Sequence, residues 1–253
     1  MATTGKAMIL AAGLGTRLQP FTFTKPKALA QIDGITLLEY AIRHLKHYGF
    51  NKIIINVHHF ADQVIEFLKS KNNFDIYISI SDESNKLLNT GGGLKNASYF
   101  FDDKKSFLVY NVDILTDINL RTFYDAHIKS GALATLAVRN RKTSRYFLFD
   151  QNNCLCGWKN MDTNEIKIQS RVYTKLRPLA FSGIQAINPK LFDIMSKYDG
   201  AFSITDLYIQ ICSSYKIIAF NHDKSFWMDL GTVEHLNQAN ELLSKFNFLL
   251  LHD

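Results

Sequence analysis

Six residues, Lys52–Val57 (KIIINV), constrain the fold of this chain more than any other stretch. A β-branched run with no polar face to turn toward water predicts a strand buried on both sides, as in a parallel sheet covered by helices. Its neighbours agree. Lys6–Ala12 (KAMILAA) reads as a short buried strand that ends in a loop. Thr36–Phe50 sets Leu37, Leu38, Ala41, Ile42, Leu45 and Tyr48 at helical spacing and stops at Gly49. Phe60–Lys69 reads as a helix, Phe74–Ile80 as a strand and Ser106–Val112 as a second buried strand. A helix over Ile118–Lys129 and a strand over Ala132–Val138 continue the alternation. The rhythm predicts an α/β fold with a mostly parallel central sheet and helices on both faces. Ligands of such sheets bind beyond the carboxyl ends of the strands, so the loops after the strands are where to look.

From Tyr146 to Phe181 the texture changes to short β-like pieces separated by Asn152-Asn153, Gly157 and Asp162–Asn164. We read a small antiparallel insertion, roughly residues 140–180, that covers a substrate site. The α/β rhythm returns with a strand at Ala180–Ile187, helices at Pro189–Lys197 and Ile204–Ser213, and a strand at Tyr215–Phe220. An amphipathic helix over Thr232–Lys245 closes it. With 253 residues, 47% of them apolar, one large core can be buried, and a single domain over residues 1–253 is expected. No repeat or linker interrupts it, and no C-terminal hexapeptide-repeat domain is expected.

Several classes fall away. No run reaches the roughly 18 apolar residues of a membrane span, and Met1–Lys6 is too short and polar for a signal peptide. Three cysteines, Cys154, Cys156 and Cys212, make no disulfide framework and fit a reducing, cytoplasmic setting. Cys154 and Cys156 lack the second Cys/His pair of a metal site and read as one strand face. The net charge of +6 comes from basic residues spread along the chain, apart from a cluster at Arg139–Arg145. That spread suits a small phosphate ligand, and no aromatic-plus-basic module for nucleic acid is present.

The loop after the first strand reads Ala11-Ala12-Gly13-Leu14-Gly15-Thr16-Arg17. Gly13 and Gly15 let backbone N–H groups approach a phosphate chain with no Cβ in the way. No G-K-[ST] follows, which excludes a Walker loop, and no third glycine follows, which excludes the dinucleotide fingerprint. Alone, the glycines would equally make a tight turn. Arg17 and Lys27 add a guanidinium and an ammonium that can bind several phosphate oxygens at once. Asp113 and Asp229 end two apolar strand segments, Phe107–Val112 and Phe226–Met228. Singly, each would read as a cap of a helix or turn. As a pair flanking a phosphate loop they suit Mg²⁺, which keeps several waters and takes one or two protein oxygens.

The ordered string A-A-G-x-G-T-R-x-x-P-x-T-x-x-x-P-K over residues 11–27 resembles the signature of the sugar-1-phosphate nucleotidyltransferases. The glucose-1-phosphate thymidylyltransferases and mannose-1-phosphate guanylyltransferases typify that family. The resemblance is nearest to its short, single-domain uridylyltransferases of N-acetylmuramate 1-phosphate. It implies a Rossmann-like mixed sheet, the nucleotide-diphospho-sugar transferase fold. Further elements follow in order. Thr90–Gly93 resembles the glycine element that lies against the nucleoside, together with Asn89. Asn111-Val112-Asp113 resembles the element whose Asp binds Mg²⁺. Phe181-Ser182-Gly183 resembles the segment that contacts the sugar. Trp227–Thr232 resembles W-x-D-x-G-T, whose Asp supplies the second carboxylate to the metal. The family would thus place the nucleotide on Ala11, Ala12, Gly13, Gly15, Thr16, Arg17, Asn89, Thr90, Gly91 and Asn111.

The resemblance also implies a reaction. A nucleoside monophosphate passes from an NTP to a sugar-1-phosphate, giving an NDP-sugar, a cell-wall or polysaccharide precursor, and pyrophosphate. Arg17 and the loop amides would hold the β- and γ-phosphates, and Lys27 the oxygens at the reacting phosphorus. The attacking phosphate is already ionised, so no general base is needed, and His58 and His59 are read as site lining. Two departures stand out. Asn89 replaces the Glu usual in related uridylyltransferases, which leaves the base open, uracil first and guanine second. Gln31 replaces a proline and concerns only loop stiffness. Lys142–Arg145 reads as a solvated basic loop, and Trp158 and Tyr173 either face the sugar or pack. Rival readings are a cytidylyltransferase acting on an alcohol phosphate such as phosphocholine, and a non-catalytic nucleotide-sugar sensor. Neither a nucleic acid nor a membrane is an expected partner, and the assembly is a monomer or a homodimer.

Overall fold

The structure, a computed structural model, describes residues 5–168 and 175–243. These form two compact units. Unit 1 takes Met1–Leu87, Val109–Asp117 and Phe226–Asp253; unit 2 takes Leu88–Leu108 and Ile118–Ser225.

Unit 1 opens with β1 (Lys6–Leu10), 3₁₀ turns at Thr16–Leu18, Phe21–Phe23 and Lys27–Leu29, and a small hairpin of β2 (Gln31–Ile32) and β3 (Ile35–Thr36). Helix α1 (Leu37–His47) starts where Thr36 accepts a hydrogen bond from the Glu39 amide at 3.1 Å, an N-cap that satisfies one orphan donor. Strand β4 (Lys52–Val57) is the KIIINV run, and residues Ile53–Val57 are all buried, as a strand covered on both faces requires. Helix α2 (Ala61–Ser70) leads to β5 (Tyr77–Asp82), and β1, β4 and β5 pair in parallel. The strand expected from Phe74 begins only at Tyr77. Asn72, Asn73, Phe74 and Asp75 all carry positive φ, a left-handed turn that Asn and Asp tolerate and that no strand accommodates.

The chain enters unit 2 with α3 (Asn89–Asn96), which places the expected glycine element on the first turns of a helix. Strand β6 (Phe107–Asn111) follows, and Val109 returns the chain to unit 1, where β7 (Ile114–Thr116) lies. Helix α4 (Leu120–Ser130), capped by Asn119 and ended by a left-handed Gly131, resumes unit 2. Then come β8 (Ala134–Arg139), β9 (Arg145–Phe149), β10 (Leu155–Asn160), β11 (Ile166–Ile168) and β12 (Arg177–Ile187). Strands β11, β10, β9 and β12 pair antiparallel in that order, which is the predicted insertion. The strand expected at Ala180–Ile187 is the second half of β12, which pairs antiparallel with β8. Helices α5 (Leu191–Met195) and α6 (Ile204–Ile211) lead to β13 (Ile217–Asn221), parallel to β8. Phe101, Phe107 and Phe192 stack in the core of this unit, with centroids of the first pair 3.7 Å apart. Cys154 is half-buried beside β10 and Cys156 is buried within it, and neither is in a disulfide.

Strand β14 (Trp227–Asp229) and helix α7 (Val233–Leu243) complete unit 1. β14 pairs antiparallel with β7, with Asp229 opposite Ile114. No helix among the described residues is long and apolar enough to cross a membrane.

Candidate active site

The loop after β1 is anchored from below by a buried polar chain. The Ala11 amide donates to Asn56 Oδ1 at 2.7 Å, and Asn56 Nδ2 donates to Glu83 Oε1 at 2.7 Å. Asn56 and Glu83 are each 3% exposed, so these bonds are made out of water, where an unpaired group would be costly. The His58 ring Nδ1 lies 2.7 Å from the Glu83 carbonyl, which only accepts, so this nitrogen carries the proton. Ala11 therefore spends its amide on the scaffold. His59 is exposed, its ring against Phe60 with centroids 3.8 Å apart.

The two loop glycines have different reasons to be glycine. Gly15 sits at φ +63°, and a Cβ there would stand 2.9 Å from the Lys27 Cβ and 3.0 Å from Thr22 Cγ2. It is required by backbone conformation and by the seat of Lys27. Gly13 has no such constraint, because a Cβ there would meet no atom within 4 Å. Its bare backbone faces open space, as an approaching ligand needs. Gly13→Ala is expected to leave the melting temperature nearly unchanged, within the roughly 0.5 kcal/mol of a surface substitution, and to lower kcat/KM for the nucleotide about tenfold. An unchanged kcat/KM would mean that no ligand comes close to Gly13.

Arg17 and Lys27 are aimed by the 3₁₀ turns that carry them. Leu18, with no exposed surface, pins the Arg17 turn, and buried Ala28 pins the Lys27 turn. Lys27 Nζ donates to Asp113 Oδ2, and the side chains are 12% and 16% exposed. Asp113 lies in the turn from β6 to β7, and its carbonyl accepts from the Leu230 amide at 2.8 Å. That bond ties the Asp113 turn to the segment carrying Asp229, the last residue of β14. Asp229 Oδ1 accepts from the Gly231 amide at 2.7 Å. The His235 Nδ1, from the first turn of α7, donates to the Asp229 carbonyl at 2.6 Å. A Cβ on Gly231 would stand 2.6 Å from Arg17 Nη2 and 2.7 Å from Asp229 Oδ1. Arg17, Lys27, Asp113 and Asp229 are thus gathered within unit 1. Asn111 ends β6 half-buried, and Ala12 and exposed Thr16 flank the glycines. The carboxylate pair fits a hard divalent cation that completes its shell with water and ligand oxygens. Among the described residues no cluster of three or more His, Cys, Asp or Glu could hold a metal, so an ion here would lean on those other oxygens.

In unit 2, Asn89 and Thr90 are exposed at the start of α3, Asn89 with φ +61°, while Thr90 Oγ1 accepts from the Ile204 amide at 3.1 Å. A Cβ on Gly91 would strike the Phe202 ring at 2.4 Å, and one on Gly92 the Gly200 carbonyl at 2.4 Å. Close packing on Gly200–Phe202 accounts for both glycines.

Strand β12 slips register against β8 between Phe181 and Gln185, and Gly183, at φ +77°, makes that bulge. Ser182 is fully buried, 2.7 Å from His222 Nε2, and burial pushes His222 down to about 4. Phe181 instead lines a cavity of about 380 Å³ shared with Arg141, Arg145, Phe147 and Trp158. Lys167 lies 5.3 Å over the Trp158 ring and 3.7 Å from Asp206 on the cavity wall. Arg145, expected in a solvated loop, and Trp158 are therefore cavity residues. Tyr173 lies outside the described residues.

Asn56, Glu83, Arg141 and His235 escaped the sequence reading. The signal for Asn56 was there: it is the one polar residue inside the Ile53–Val57 run. His235 gives no such signal.

Residues 6–245 match the family model described as nucleotidyl transferase. The N-acetylmuramate alpha-1-phosphate uridylyltransferase of Caulobacter vibrioides is 39% identical over 233 residues, 89% of this chain and 91% of that protein. The UTP–glucose-1-phosphate uridylyltransferase of Synechocystis sp. is 30% identical over 251 residues, 92% of this chain. The chain spans only 62% of the length of that relative. A structure of UDP-glucose pyrophosphorylase with UDP-glucose superposes with a TM-score of 0.77 at 19% identity, covering 96% of this chain and 99% of that one. The fold, a mixed and mostly parallel sheet with helices, is shared with it.

Proposed function

The chain belongs to the nucleotidyl transferase family, and from that premise we propose that it transfers a nucleoside monophosphate from an NTP to a sugar-1-phosphate. One observation carries the reading. Two cations and two carboxylates converge beside a loop whose Gly13 faces open space. A phosphate oxygen of the sugar-1-phosphate attacks the α-phosphorus, one P–O bond forms, and the bond to the leaving pyrophosphate breaks. The products are an NDP-sugar and pyrophosphate.

The chain's own part is positioning and charge neutralisation. The amides of the Gly13–Thr16 loop and the Arg17 guanidinium hold the outer phosphates. Lys27 donates to oxygens at the reacting phosphorus. Asp113 and Asp229 would hold Mg²⁺, which when bound would supply neutralisation of phosphate charge. His235 fixes the Asp229 main chain and the Gly231 amide its carboxylate, and Asn56 fixes the start of the loop.

In unit 2 the apolar faces of Phe147, Trp158 and Phe181, with the donors of Arg141 and Arg145, suit a pyranose and its hydroxyl or anionic groups. UTP is the first choice of nucleotide, supported by the uridylyltransferase relatives, and GTP the second. Incubation with each NTP, Mg²⁺ and a panel of sugar-1-phosphates should release pyrophosphate for at least one pair, fastest with UTP. Turnover only with an alcohol phosphate and CTP would favour the cytidylyltransferase reading. Tight nucleotide binding with no release across the panel would sink transfer in favour of a sensor.

A further inference from the structure

The carboxylates proposed to hold the metal already have partners in unit 1, the Lys27 ammonium on Asp113 and the Gly231 amide on Asp229. Lys27 already occupies an oxygen of Asp113, and both side chains are largely out of water, at 12% and 16% exposure. Arg17 Nη2 and Asp229 Oδ1 crowd the same point above Gly231. Two side-chain positive charges thus stand against two negative ones before any ligand arrives.

We infer that Lys27 is a built-in counter-cation that keeps the carboxylate pair closed to a bare divalent ion, so that the metal enters only together with a triphosphate. The inference rests on the metal reading above and adds an order to it. A bare dication seeking Asp113 would have to displace the Lys27 ammonium. It would leave that charge poorly hydrated and unpaired beside another cation, an arrangement heavily penalised away from bulk water. A triphosphate removes the penalty. Its oxygens are a new partner for Lys27, and the Asp113 carboxylate that Lys27 releases is free for the ion that the phosphates carry. Each charge then trades one partner for another, with none left bare.

The geometry suits such a trade. The Lys27 stem lies against Gly15, whose missing Cβ leaves just the room that the stem takes. The ammonium therefore passes from Asp113 toward the phosphate loop by side-chain torsions, with its turn still pinned by buried Ala28.

Direct binding of Mn²⁺ to the nucleotide-free protein, by calorimetry or spin resonance, tests the idea without turnover. Wild type should bind bare Mn²⁺ weakly. K27M, which keeps the apolar stem and removes the charge, should bind it at least about tenfold more tightly, the scale of one charged hydrogen bond. K27R should stay weak, and K27Q gives a second neutral variant should K27M unfold. Equal Mn²⁺ affinity for wild type and both neutral variants overturns the inference. Adding D113N to K27M should abolish the gain. If the gain survives that change, the ion does not sit on Asp113, and the metal assignment itself fails rather than the order of entry.

Discussion

Exchanging Asp113 for asparagine is expected to slow pyrophosphate release about a thousandfold while the protein stays folded. Asparagine keeps the size and shape of the side chain and leaves an oxygen that can accept from Lys27. It removes only the negative charge. The loss of a charged partner for Lys27 should cost about 1 to 2 kcal/mol of stability, the worth of one charge-assisted hydrogen bond. A steady-state assay alongside thermal unfolding separates the two effects. Asp113 also lies in a turn, and a turn residue would tolerate asparagine almost fully. Retention of more than a tenth of wild-type kcat in a folded variant would therefore assign Asp113 to the turn and remove it from the metal.

Much of this arrangement was legible beforehand because chemistry and chain position coincide. Lys52–Val57 announces itself as a doubly buried strand, since a short β-branched run favours a strand and leaves little for water to contact. The Asp113 and Asp229 pair follows from carboxylates placed where apolar strand segments stop. What escaped has physical causes too. Glycines are poor helix formers, so Gly91–Gly93 gave no hint of α3, whose packing on Gly200–Phe202 overrides propensity. The left-handed run Asn72–Asp75 carries no hydrophobic period, and it displaced the start of β5. Ser182 sits in a motif associated with sugar contact, yet its hydroxyl is spent on His222 inside the core. A motif specifies a segment; only the alternation of a strand about a bulge decides which of its side chains reach a cavity, and here that side chain is Phe181. Arg145 shows the converse: read as part of a solvated loop, it is exposed yet begins β9 and lines the cavity with half-buried Arg141.

A single methyl group at position 231 should be nearly as damaging as the loss of a charge. The Cβ of Gly231→Ala would lie 2.6 Å from Arg17 Nη2 and 2.7 Å from Asp229 Oδ1, both inside any normal carbon contact. Arg17 is exposed and flexible and can swing away cheaply, but swinging away takes it off the phosphates. Asp229 has less freedom, because its carboxylate is bonded to the Gly231 amide and its carbonyl to His235. The overpacking itself should cost about 1 to 2 kcal/mol, mild because one of the two colliding groups yields. Turnover should fall about a hundredfold, the scale of a misplacement near 1 Å among positioning groups. If the fall shows mainly in KM for the nucleotide, Arg17 took the displacement. If it shows mainly in kcat, with weakened Mn²⁺ dependence, Asp229 did. A folded Gly231→Ala protein with unchanged kcat and KM would mean that neither group touches the reacting phosphates, and the convergence of charges in unit 1 would have to be read as structural.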